Sequence, residues 1–75
     1  MTADLLREIV KAKQIALTFS EAHEEALREF ATACASANWK AAEMQQEIAI
    51  ESMRSHLDAV QAIWRLQQNV PAAHR

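Results

Sequence analysis

From the N-terminus, apolar residues and one histidine return at steps of three and four, as Leu5, Ile9, Ala12, Ala16, Phe19, His23, Leu27, Phe30, Cys34 and Ala37. At the helical advance of about 100° per residue, these positions fall on one stripe. Glu21, Glu24, Glu25, Arg28 and Glu29 lie opposite Leu27 and Phe30 and form a solvated face, on which Glu24 and Arg28 are spaced to pair. The first half is therefore predicted as one amphipathic helix, from about residue 3 to about residue 36.

Leu6, Val10 and Leu17 form a second apolar strip about 120° away from the first, interrupted only by Lys13. It is predicted either to be sandwiched between two neighbouring helices or to dock a partner. The second half, from about residue 38 to about residue 69, reads differently. Trp39, Ile50, Met53, Leu57, Val60 and Trp64 share one face, and Met44, Ile48, Ile63, Leu66 and Val70 widen it. Charges are confined to the remaining arc, as Lys40, Glu43, Glu47, Glu51, Arg54, Asp58 and Arg65. So broad an apolar arc needs at least two neighbours.

Local capping signals place the turns. Ser36-Ala37-Asn38 ahead of Trp39 predicts a break with Asn38 or Ser36 as N-cap. Thr18-Phe19-Ser20-Glu21 fits a capping box and marks a second candidate break near Thr18. Asn69-Val70-Pro71 ends the last helix, because the residue before proline is pushed out of helical geometry. An unbroken helix is not expected, since the apolar strip of the second half is wider than a coiled-coil seam and shifts phase near Ile48 to Ile50. The expected fold is all-α: an antiparallel helical hairpin that dimerises into a four-helix bundle, with a three-helix bundle as the alternative. Residues 1–70 form one domain in this reading, and residues 71–75 a frayed tail.

Composition sharpens the helical reading. The 75 residues include no glycine, one proline, no tyrosine and sixteen alanines, so turn and strand formers are nearly missing. Alanines on the stripe allow close helix approach, while Phe19, Phe30, Trp39 and Trp64 fill space elsewhere. A formal charge of −2 supplies no basic face for nucleic acid. No apolar run approaches the roughly 20 residues of a membrane span, and Met1-Thr2-Ala3-Asp4 does not open a signal peptide, so the expected location is cytoplasmic.

Candidate chemistry is sparse. Cys34, the single cysteine, sits between Ala33 and Ala35 and is expected to be a small buried hydrophobe. His23, His56 and His74 are too far apart for His-x-x-x-His, and Ser20 and Met53 stand where a Glu-x-x-His motif needs glutamate. Met53 and His56 could ligate a soft metal by spacing, but Met53 belongs to the apolar strip. No glycine-rich phosphate loop can exist. Neither catalysis nor a cofactor is expected.

The expected function is binding. A homo-oligomer is predicted to assemble through Phe19, His23, Leu27, Phe30, Trp39, Ile50, Leu57 and Trp64. His23 is expected to be a satisfied core or boundary histidine, with two copies meeting at a two-fold axis as the alternative. An unidentified protein partner is predicted to dock on Leu6, Val10 and Leu17, complemented by the acidic ridge Glu43, Glu47, Glu51 and Asp58. Two resemblances bear on this. The glutamine-rich amphipathic last third, closing on Asn69-Val70-Pro71, resembles the C-terminal helices of phasins over about thirty residues. That resemblance implies an amphipathic coat on a storage granule as the alternative function. In size and shape the chain is also similar to the small helical-hairpin chaperones and anti-activators with which bacteria mask another protein's surface, which implies an adaptor or inhibitor.

Overall fold

In the computed structural model, which describes residues 3–69, the chain forms two helices: α1 (Ala3–Ala35) and α2 (Trp39–Gln68). They pack antiparallel along their lengths into a rod of 56 × 15 × 14 Å. The three-helix alternative is thereby excluded. No break occurs at Thr18, whose hydroxyl donates to the Gln14 carbonyl at 3.0 Å. That bond turns the side chain back onto the preceding turn, so it cannot cap a new helix.

The hairpin turn lies at residues 36–38. With no glycine in the chain, Ala37 adopts the left-handed conformation, with φ 56°. The Asn38 N–H donates to the Ala33 carbonyl at 2.9 Å and the Ala37 N–H to the Cys34 carbonyl at 3.1 Å. These two bonds form a Schellman motif, which satisfies carbonyls at the end of α1. Asn38 then serves the next helix, its Oδ1 accepting from the Ala41 N–H at 3.2 Å. A single asparagine thus closes one helix and opens the other. At the far end Asn69 caps α2, its N–H donating to the Leu66 carbonyl at 3.1 Å. Val70 and Pro71, and the tail expected at residues 71–75, lie outside the described residues.

The helix–helix seam corrects the sequence-based expectation. Residues 9, 12, 16, 19, 23, 26, 30 and 33 of α1 and 42, 45, 49, 52, 56, 59, 63 and 66 of α2 are all buried or half-buried. Both series alternate steps of three and four, the spacing of a heptad seam. The buried core is one isoleucine, Ile9, and seven alanines, Ala12, Ala16, Ala26, Ala33, Ala42, Ala49 and Ala59, joined by Ser52. In α1 the stripe runs through Ala26 and Ala33 rather than Leu27 and Cys34; Leu27 is exposed and Cys34 half-buried. In α2 the residues Trp39, Ile50, Met53, Leu57, Val60 and Trp64 are exposed beside the seam rather than buried in it, and the buried positions are Ala42, Ala49, Ser52 and Ala59. Small residues at these positions permit closer helix approach than large ones would. The solvated back of α1 carries an ion pair, but Arg28 reaches Glu25 at 2.7 Å rather than Glu24. Hydrogen bonding to Glu25 and its charge raise the Arg28 pKa further above its ordinary value.

Candidate docking face

Heptad geometry gives the hairpin two unlike flanks. In an antiparallel pair, the positions following the second seam residue of each heptad lie together on one side, and those preceding the first lie on the other. The first side collects Leu6, Leu27, Trp39, Met53 and Val60, and one turn further out Val10, Leu17, Ile50, Leu57 and Trp64. All ten side chains are exposed. The other side retains only Ile15 and Ile48, with Met44 beyond them, among glutamates, serine, threonines and lysine. One flank of the rod is therefore predominantly apolar, interrupted by Lys13, Ser20, Glu24, Glu43, Gln46 and Gln67, and the opposite flank is mostly polar.

A groove of about 520 Å³ lies near the centre of the apolar face. It is floored by His23, Phe30 and Ala49, walled by Leu27, Ile50, Met53 and Leu57, and edged by Gln46 and Arg54. On the polar flank Ala12, Ile15 and Phe19 face Ser55, Asp58, Ala59 and Ala62 across a smaller depression of about 360 Å³. The oligomer-interface residues predicted from sequence thus divide. His23, Leu27, Phe30, Ile50 and Leu57 meet in or around the groove, Trp39 and Trp64 stand further along the same face, and Phe19 turns to the opposite depression.

The predicted partner-binding residues divide as well. Leu6, Val10 and Leu17 are exposed on the apolar face, towards the open end of the hairpin. Glu43, Glu47, Glu51 and Asp58 are exposed on α2, but the antiparallel arrangement does not bring them to that strip. Glu43 borders the apolar face near the turn, and Glu47 and Glu51 lie on the back of α2. Asp58 lines the depression on the polar flank. Glu47 is roughly 30 Å along the rod from the level of Leu6, at 1.5 Å per residue.

Two histidines that the sequence reading treated separately form a reciprocal pair of cross-helix bonds. His23 Nδ1 lies 2.9 Å from the Ala49 carbonyl oxygen, and His56 Nδ1 lies 2.9 Å from the Ala16 carbonyl oxygen. A carbonyl oxygen only accepts, so each ring donates from Nδ1. Each bond ties a side chain of one helix to the backbone of the other and holds the two helices in register. The signal was present in the chain: Ala16, His23 and Ala26 recur at the same spacing as Ala49, His56 and Ala59. His23 accordingly uses one ring nitrogen within its own chain.

Among the described residues no cluster of histidine, cysteine and carboxylate could hold a metal ion, and no helix is long and apolar enough to cross a membrane. Met53 stands on the wall of the groove and His56 in the seam. The chain matches no known family model, curated protein sequence or solved structure.

Proposed function

We propose that the protein is a non-enzymatic helical binding module that works as a homo-oligomer and occludes or scaffolds another protein. The observation carrying this reading is the inversion of side-chain size across the hairpin. The fully buried seam positions are seven alanines, Ser52 and Ile9, whereas Leu6, Val10, Leu17, Leu27, Ile50, Leu57 and two tryptophans remain exposed. Contiguous exposed apolar surface of this extent marks an interaction site in soluble proteins, and exposed tryptophans are typical of energetic anchors. In this reading the partner takes the Leu6, Val10 and Leu17 strip, while the acidic residues of α2 steer basic partners from a distance. The expected setting is the cytoplasm.

Affinity capture from the native cell tests the reading, comparing wild type with Leu6→Glu/Val10→Glu. A stoichiometric protein recovered by the wild type and lost by a variant that keeps its helicity is the expected result. Equal recovery by both would remove the strip from the binding surface. An amphipathic coat resembling phasins is the second reading, favoured by Trp39 and Trp64 at 66% and 62% exposure on one apolar face. It predicts adsorption to neutral lipid particles that is abolished by Trp64→Asp.

A further inference from the structure

The accessible surface of the chain, 5654 Å², is large for its size. A compact 8.4 kDa protein exposes about 4,600 Å² by the usual scaling of surface with mass. The excess, on the order of 1,000 Å², is close to the ~800 Å² that each partner contributes to a standard stable interface. The large exposed apolar residues are concentrated on one flank of the rod. A core of alanines and one isoleucine supplies little apolar burial to hold a two-helix unit by itself.

From the size of this surplus and the concentration of the large exposed apolar side chains on one flank, we infer that the groove-centred part of the apolar face is closed by the same part of a second copy. This inference rests on the proposal that the face is a docking surface, and names its occupant. The product is a two-fold four-helix bundle in which Leu27, Ile50, Met53 and Leu57 of both copies form the central layer that each hairpin lacks. A net charge of −2 per copy opposes this pairing only weakly. Leu6 and Val10, nearer the open end, lie outside the central layer and remain for a different protein.

Sedimentation equilibrium of the full chain from 1 to 100 µM tests the inference, with tryptophan emission followed over the same range. The expected result is a species of twice the chain mass. Ile50→Glu/Leu57→Glu should weaken association at least about a hundredfold. Ile48→Glu, on the opposite flank, should change it less than about threefold. If the charged pair loses helicity by circular dichroism, Ile50→Ala/Leu57→Ala replaces it, with at least about tenfold weakening expected. A wild type that is monomeric at 100 µM, or an Ile48→Glu variant that dissociates as readily as the groove variants, overturns the second copy as occupant. Anilinonaphthalene sulfonate and neutral phosphatidylcholine vesicles then separate the two levels. A monomer that binds either probe through Ile50 and Leu57 keeps the docking surface without the dimer, and one that binds neither loses both.

Discussion

Ala26 and Leu27 are adjacent in sequence and opposite in environment: the alanine is 2% exposed and the leucine 47%. The same contrast runs along the molecule, between fully buried positions that are nearly all alanine and an exposed face of large residues. Burial in a helix pair is decided by angular position first and by hydrophobicity second. A methyl group at a seam position is enclosed by the facing helix, whereas an isobutyl group one residue further on is left about half exposed at the edge of the groove. The face is therefore apolar surface left over after the two helices have made their closest approach.

The largest expected effect comes from reversing that contrast. Ala26→Leu inserts extra methylenes at the most buried alanine of the seam and should destabilise the fold by about 1–3 kcal/mol, seen as a lowered thermal midpoint. Leu27→Ala, one residue away, should cost less than about 0.5 kcal/mol in the single hairpin, read at concentrations below those at which the chain associates. Equal losses at the two positions would break the distinction between seam and face. The histidine pair comes next. His23→Ala and His56→Ala each remove one cross-helix bond, worth about 0.5–1.5 kcal/mol, and the double variant should lose close to the sum by denaturant titration. A double variant no less stable than either single one would deny the histidines their role in register. The smallest effect lies at the turn. Ala37→Gly relieves a left-handed alanine and should stabilise by about 0.5–1 kcal/mol, raising the midpoint by roughly 4–8 °C per kcal/mol in a chain this size.

The legible part of the fold was the local part. Helix propensity, absence of glycine and the Asn38 cap located both helices and their junction to within a residue or two. Ala37 was harder to anticipate as the left-handed residue, since the usual glycine signal is missing and the Schellman bonds form only after α2 folds back. The Thr18 capping box misled because the threonine hydroxyl has a competing acceptor in the Gln14 carbonyl, and helix continuity favours that choice. The exposed strip of Leu6, Val10 and Leu17 was visible as a second apolar stripe. Its neighbours on α2 were not, because ranking faces by hydrophobicity placed Ile50, Leu57 and Trp64 inside.

What the amino-acid order determined by itself was an all-helical chain with more apolar circumference than a single helix contact can cover. Periodicity and capping act over a turn or two, and such local rules need no partner to be read. Which face turned inward was decided only when two helices met. At that point the Ala16–His23–Ala26 and Ala49–His56–Ala59 repeats could interlock, each histidine reaching a carbonyl across the seam. Close packing of small residues with paired hydrogen bonds requires both helices at once, and that joint requirement left the larger side chains outside.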